Sequence, residues 1–475
     1  MIRSRFSRFA RVRVGLCMTF VAICGMTNEP AARAADAPKR PNFLIILGDN
    51  LGRDWFGCYG SDEGVTPNID RLARTGVLFP TCYVTPLCST TRAELWTGRY
   101  GLHTGWHTHH DTAIYGGGYF DWNREITLAR VLQSAGYATA LAGKWQINDL
   151  YEQTDALKRH GFDEHVVWTG ALIGEGTAEP RWKASLINGR VFESRYWDPV
   201  LFRDGKRVEE KGAFGPDVDR EFLVDFMKRH KDEPFFAFYS CRLTHVPTVP
   251  TPLSPNPETP EREQFAGMVR YFDHQVGQLT SALEELGLRD DTIVIITTDN
   301  GTSRKYSGVV RGVEAQGGLG TLSENGLDVP LVVNCPGRVP EGVVSQALVD
   351  CSDFFPTVVE LAGAELPTDR AIDGHSFARE LGDGDSSAEP RDWVFTQYAG
   401  TRVVRDRRYK FYSTGKLFDI TADPLEKNDL ATSDDAGVAA ARERLRKVLD
   451  GLPPDEKLPF EPRSSSAFRM REKAK

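Results

Sequence analysis

The chain has 475 residues, with 58 Lys and Arg set against 66 Asp and Glu for a formal net charge of -8. That length excludes a stapled miniprotein and suits one large domain with a smaller companion. Charged residues make up 26% of the chain and are spread rather than gathered in basic blocks, which speaks against a nucleic-acid partner; an anionic small substrate needs a local basic pocket instead.

At the N-terminus, Arg3, Arg5, Arg8, Arg11 and Arg13 precede an apolar stretch from Val14 to Met26, and Ala32-Arg33-Ala34 supplies small residues of the kind a signal peptidase reads. The expectation is a cleaved signal peptide over 1–35 and a periplasmic or secreted protein. The stretch is short for a spanning helix, and no later segment approaches the ~20 apolar residues a bilayer requires, so no membrane span is expected. Without an adjacent arginine pair the segment suits ordinary unfolded export. Of eight cysteines, Cys17 and Cys24 leave with the signal. The remaining six form no disulfide scaffold; a Cys58–Cys82 bridge is one of the pairings left open.

Strands and helices then alternate. NFLIIL (42–47) is an apolar run suited to a strand buried on both faces, ending in Gly48-Asp49-Asn50. Thr66 caps a helix with Pro67 at its first position, and EITLARVLQSAG (125–136) is an amphipathic helix leading into YATALAGKW. PFFAFYS (234–240) is a second buried strand; a long helix over about 262–287 feeds TIVIITTDNG, and VPLVVN follows. This order predicts an α/β fold whose large sheet is mostly parallel and flanked by helices, over 41–385. A glycine- and serine-rich linker at 376–391 leads to WVFTQY, TRVVRD, YKFYS and LFDI, four short antiparallel strands, and to a helix over about 434–449 with Gly451 beyond its end. They make a small C-terminal antiparallel sheet plus helix over 390–455, and 456–475 reads as a flexible tail.

Asp49-Asn50, Lys144, His245 and Asp299-Asn300 each fall just past the carboxyl end of an apolar strand, the edge at which open α/β sheets bind ligands. Asp-Asn pairs are also ordinary turn sequences. Two of them at equivalent ends of two buried strands point to one shared site, and their oxygen donors suit a hard cation such as Ca2+ or Mg2+. Cys88 stands apart from the other cysteines, with Pro86 before it, Ser and Thr around it and Arg92 at i+4.

The stretch PLCSTTRAELWTGRY (86–100) resembles the signature of the formylglycine-dependent sulfatases, a branch of the alkaline phosphatase superfamily, whose core reads Cys-x-Pro/Ala-x-Arg. RPNFLIILGDNLG, GCYG, TPNIDRLARTGVLF, AGKWQ, LTHVPTVP, TTDNGT and VPLVVNCPG stand in the family's order, and DFFPTVVELAG, DGHSF, RYKFYS and LFDITADPLEKNDL match its C-terminal part. The resemblance implies that a formylglycine-generating enzyme converts Cys88 to formylglycine (3-oxoalanine), whose hydrate attacks the sulfur of a sulfate ester with one hydroxyl and releases sulfate through the other. It implies that Asp49, Asn50, Asp299, Asn300 and residue 88 hold the cation, Ca2+ with Mg2+ as the alternative, and that Arg92 steadies the nucleophile. Lys144, Gln146 and His245 then contact the substrate, an alkyl, aryl or oligosaccharide sulfate ester, and His245 protonates the leaving alcohol.

The chain departs from that pattern at several positions. Thr90 occupies the signature's third position, Asn50 stands where a second Asp is commoner, and Gln146 stands where many members carry histidine. In GGLGTLSENGLDVP the family's sulfate-contacting lysine falls on Leu319, its first glycine on Asn325 and its arginine on Asp328. Arg304, Lys305 or Arg311 either supplies a substitute cation, with Arg304 the substrate-binding candidate, or belongs to a solvated loop. HTGWHTHHD (103–111) reads as a substrate-facing rim at most, lacking acid or thiol partners for zinc. Trp106, Trp122, Trp168, Trp182 and Trp197 are either sugar platforms or core. Two other functions stay open: hydrolysis of phosphate diesters or phosphonate esters, and non-catalytic binding of sulfated glycans. The sequence fixes neither the substrate nor the oligomeric state.

Overall fold

The computed structural model of the chain describes residues 40–112, 118–175, 185–187, 189–384 and 391–459; the signal segment, Trp182, part of the linker and the end of the tail lie outside them. The main sheet has ten strands: β1 (Asn42–Gly48), β2 (Val77–Phe79), β3 (Ala138–Gly143), β4 (Glu164–Trp168), β5 (Val200–Arg203), β6 (Lys206–Glu209), β7 (Phe235–Ser240), β8 (Thr292–Thr298), β9 (Leu331–Asn334) and β10 (Val343–Val344). Their spatial order is β6-β5-β4-β3-β7-β1-β8-β9-β2-β10. The centre, β4-β3-β7-β1-β8, is parallel. Both flanks turn antiparallel, save for the parallel edge pair β2–β10.

Alternation along β1 divides the core in two. Phe43, Ile45 and Leu47 pack on one side with α2 (Cys88–Thr97), α3 (Leu128–Ser134) and α6 (Phe354–Leu361). Leu44 and Ile46 pack on the other with α1 (Pro67–Arg74), α4 (Gly215–Arg229) and α5 (Glu261–Glu285). Each fully buried Leu, Ile or Phe contributes roughly 1.5–3 kcal/mol, so a strand apolar on both faces is secured only where helices cover both, as βαβ crossovers arrange. β9 runs antiparallel to β8, which makes the large sheet mixed though mostly parallel. Residues 299–330 form a hairpin and a loop instead of a crossover helix, and without a crossover the chain re-enters the sheet from the end it left.

Three expectations change. The helix expected from 125 begins at Leu128, because Thr127 accepts from the Arg130 N–H as its cap. The C-terminal helix α7 (Ala436–Gly451) includes Gly451 in its last turn, with Asp435 capping its start. All six cysteines of the described chain are free thiols, so Cys58 and Cys82 form no bridge.

The small sheet follows the order β11 (Val394–Tyr398), β12 (Thr401–Arg405), β13 (Tyr409–Tyr412), β14 (Leu417–Asp419), all antiparallel. Phe395, Val404, Phe411 and Leu417 meet Val438, Ala441, Leu445 and Leu449 of α7, and Tyr100 and Leu102 join them from the segment after α2. The expected linker or exposed loop is partly packed where it is described: Phe377, Ala378, Leu381 and Arg391 are buried, while Arg379 and 382–384 are exposed. Arg391 Nε donates to Asp353 at 3.1 Å, its Nη1 donates to the Tyr100 hydroxyl at 2.8 Å, and Asp350 lies 3.3 Å away. Arg391→Met strands two buried carboxylates, and removing one partner of such a buried network costs about 3–5 kcal/mol; the urea transition should move to clearly lower denaturant.

Candidate active site at the carboxyl edge of the sheet

Because β3, β7, β1 and β8 are adjacent and parallel, their carboxyl ends lie side by side. Lys144 follows β3, Asp49 and Asn50 follow β1, and Asp299 and Asn300 follow β8. His245 follows β7 after a short turn. Main-chain bonds lock these ends: Asp49 N–H donates to the Leu243 carbonyl (2.8 Å), Thr244 N–H to the Asp49 carbonyl (2.6 Å) and Asp299 N–H to the Gly48 carbonyl (3.0 Å). Gly143 has φ +110°, and a Cβ there would lie 1.9 Å from the Ser240 carbonyl oxygen, which accepts from Lys144 N–H at 2.8 Å. Only glycine lets β3 finish so close to β7. Asn50 and Gln146 are non-glycine residues at positive φ (59° and 77°), a left-handed backbone that side chains adopt where the surroundings impose it.

Cys88 opens α2, whose ten residues are all buried, and the preceding Leu87 is extended and gives no side-chain cap. The first-turn N–H groups are therefore left for a ligand. One turn on, Arg92 donates to Asp299 Oδ2 (2.7 Å), Ser240 Oγ (2.5 Å) and the Lys144 carbonyl (3.0 Å), with Asp49 at 3.5 Å. Lys144 Nζ donates to Asp49 Oδ2 at 2.6 Å. Asn300 Nδ2 donates to Asp299 Oδ1 at 2.6 Å, and Asn50 N–H lies 3.3 Å from the same oxygen.

Two buried oxygens, Asp49 Oδ1 and Asn300 Oδ1, have no hydrogen-bond partner. An acceptor left bare in a dry site is costly unless a cation meets it. The ligand atoms of Asp49, Cys88 and Asp299 lie within 4.8 Å of one another, the one such grouping of His, Cys, Asp or Glu among the described residues. The donor set is carboxylate and amide oxygen, which fits a hard cation.

Burial opposes the ionisation of Asp49, but Lys144, His245 and Arg92 outweigh it and hold its pKa at about 2. Burial and the neighbouring Asp49 charge push Asp299 up to about 6, against the pull of Arg92 and Lys144. Burial also raises the Cys88 thiol, so unmodified Cys88 is protonated near neutrality and a weak nucleophile. Burial works against the Lys144 ammonium too, yet Asp49 reverses the effect and keeps it charged. His245 is driven well below the usual imidazole value by burial and by Arg195.

The other sequence candidates divide. Gln146 is half-buried and donates to Asp111 at 3.2 Å. Arg304 is exposed, with its carbonyl accepting from Gln316; Lys305 pairs with Glu261 at 2.5 Å, and Arg311 packs along Gly60. None of the three joins the hydrogen bonds around Asp49 among the described residues. Leu319 is half-buried beside the start of α2, where Gly320 N–H donates to the Pro86 carbonyl (3.0 Å). Thr90 is buried and donates to the Leu87 carbonyl at 2.7 Å. Asp328, where the family has arginine, meets Arg53 (2.6 Å) and Arg405 (3.2 Å).

Other residues approach the site: His109 from the histidine-rich loop already read as a rim, and Arg195 and Tyr398, which carried no sequence signal. His109 Nδ1 lies 3.1 Å from Ser89 Oγ, next to Cys88, so the histidine-rich loop is fastened to α2. Burial, then Lys144 and His110, lower its pKa to about 4. Tyr398 of β11 meets the His109 backbone. Arg195, 2% exposed, lies over the Trp168 ring (3.8 Å) with Nη1 2.6 Å from His245 Nδ1.

Comparisons with known proteins agree with this arrangement. The family described as Sulfatase matches residues 41–364, and N-sulphoglucosamine sulphohydrolase, C-terminal, matches 321–453. The chain is 35% identical to N-acetylgalactosamine-6-sulfatase of Canis lupus familiaris over 359 residues, 72% of this chain and 66% of that protein, just under two thirds of its length. It is 32% identical to arylsulfatase A of Bos taurus, covering 83% of this chain and 79% of the relative. The crystal structure of Ps i-CgsB in complex with k-i-k-neocarrahexaose superposes with a TM-score of 0.71 at 25% identity, covering 90% of this chain and 96% of that one. With the family matched over most of its length and the cysteine, arginine, lysine and paired Asp-Asn residues gathered in one buried cluster, the chain belongs to the sulfatase family.

Proposed function

We propose that the protein hydrolyses a sulfate ester of a carbohydrate, with residue 88 as the nucleophile. The observation that carries this reading is the meeting of Cys88, at an uncapped helix start, with Lys144, Arg92 and two carboxylates in one buried cluster. Relatives named for N-acetylgalactosamine-6-sulfate and for a neocarrahexaose complex support a sulfated sugar as the substrate class. The reading includes export by the N-terminal signal and conversion of Cys88 to formylglycine by a formylglycine-generating enzyme. Once formed from Cys88, formylglycine would supply a hydrated aldehyde as nucleophile, and a hard cation held by Asp49, Asn50, Asp299 and Asn300 would supply positive charge against the sulfate oxygens.

The chain's own residues do the rest. Lys144, kept charged by Asp49, directs an ammonium at a sulfate oxygen and gains strength from the dry surroundings. Arg92 ties the helix to Asp299 and Ser240, so residue 88 is held in one orientation. His245 directs a ring N–H at the leaving oxygen as charge develops there. No helix among the described residues is long and apolar enough to cross a membrane.

Three outcomes follow. In protein from its native host the tryptic peptide Thr75 to Arg92 should be about 18 Da lighter than the thiol form, the difference between CH2SH and CHO; an intact thiol throughout would overturn the formylglycine reading. Lys144→Ala should lower kcat/KM on an active sulfate ester by roughly 10²–10³, as removal of one preorganised donor does. Ca2+ should raise the melting temperature by mass action, worth about 2.7 kcal/mol at 100 times Kd. In the cation-free protein Asp299 titrates at about 6, and a cation must displace that proton. The Ca2+ shift should therefore be full above that pH and shrink as pH falls through it. Parallel screening against phosphate diesters tells the sulfatase reading from the other hydrolase.

A further inference from the structure

The segment 193–197 is fastened to the turn after β7. Arg242 is fully buried, pairs with Asp219 and donates to the Arg195 carbonyl at 2.7 Å. The Tyr196 hydroxyl lies 2.7 Å from the Arg242 carbonyl and 2.5 Å from the His245 carbonyl, its one proton shared between them. Trp168 Nε1 donates to the Glu193 carbonyl at 2.9 Å, which sets its ring as a platform under the Arg195 guanidinium. Glu193 is itself gripped by Tyr151 (2.7 Å), Thr169 (2.5 Å) and Arg207 (2.8 Å). So many constraints leave Arg195 little freedom, and they put Nη1 2.6 Å from His245 Nδ1.

A guanidinium has donors and no acceptor, and it stays charged in proteins. In that contact Nδ1 must therefore be the acceptor and carry no proton. The Val246 carbonyl lies 2.8 Å from the same nitrogen and would favour the opposite tautomer. The charge-assisted bond is the stronger of the two, and burial together with the nearby Lys144 cation disfavours an imidazolium that would satisfy the carbonyl while facing Arg195. Resting on the reading above, we propose that Arg195 is a positioning residue: its bond to Nδ1 fixes the His245 proton on Nε2, the nitrogen left to face the leaving oxygen. Without Arg195, the Val246 carbonyl draws the proton to Nδ1 and Nε2 becomes a bare acceptor, repelling the oxygen it should assist. The departing alcohol needs this hydrogen bond in proportion to its basicity, so a sugar alcohol depends on it far more than a phenol.

The test reads the tautomer first. In protein labelled with 15N-histidine, His245 is assigned by the resonances lost in His245→Ala; Nδ1 should resonate as an unprotonated nitrogen in the wild type and as a protonated one in Arg195→Met. Arg195→Lys, which keeps a donor, should restore the wild-type pattern. For kinetics, Arg195→Met should lower kcat on an alkyl sulfate by about 10² or more while changing 4-nitrocatechol sulfate less than tenfold, with KM little altered. In Arg195→Met/His245→Ala the loss should equal that of His245→Ala alone, since one residue acts through the other. A protonated Nδ1 in the wild type, an unchanged tautomer in Arg195→Met, or additive losses in the double variant would overturn the proposal. A wild type that hydrolyses no sulfate ester would sink the sulfatase reading and leave the tautomer result standing.

Discussion

Everything at the carboxyl edge depends on keeping Asp49 ionised without water. Desolvating a carboxylate costs several kcal/mol, and the attraction of nearby cations offsets that only when the geometry is tight. Here Lys144 sits at 2.6 Å and Arg92 at 3.5 Å, and the second carboxylate, Asp299, takes the other side of the same guanidinium. Two acids and two cations thus share one buried volume, and of the two acids Asp299 is the more readily protonated. A divalent cation added to that set converts a neutral cluster into a positive one, which suits an anionic substrate.

Much of this was legible in the sequence because each participant follows an apolar run that can only be a central strand. NFLIIL and TIVIITT bury both faces, so their polar successors had to reach the same sheet edge. Arg92 was legible from helix periodicity, four residues on from Cys88. Arg195 and Tyr398 were not, since their local sequences give no period or motif that points inward. They arrive through long-range packing, Arg195 on Trp168 and Tyr398 from the C-terminal sheet. Closeness in sequence to TTDNG says nothing of direction: Arg304 and Lys305 before the hairpin, and Arg311 at its turn, lie at exposed positions.

The altered GTLSENGLDVP segment has a structural account. Asp328 reverses the charge expected there and is met by Arg53 and Arg405, while Glu324 meets Arg405 and Lys410, both of the small sheet. Those cations more than offset burial and hold Glu324 at about 2. Through these ion pairs the segment joins the two sheets.

The strand order has a kinetic side as well. β1 is flanked by β7 and β8, whose paired residues lie some 190 to 250 positions later in the chain. Until β8 is present, Asp49 has β7 beside it but lacks the second flanking strand and the carboxylate that shares Arg92. Contacts of such separation are slow to close because loop entropy precedes any gain. A chain stopped before residue 298 carries Asp49, Cys88, Arg92, Lys144 and His245 but lacks Asp299 and Asn300, the carboxylate and amide that complete the cluster.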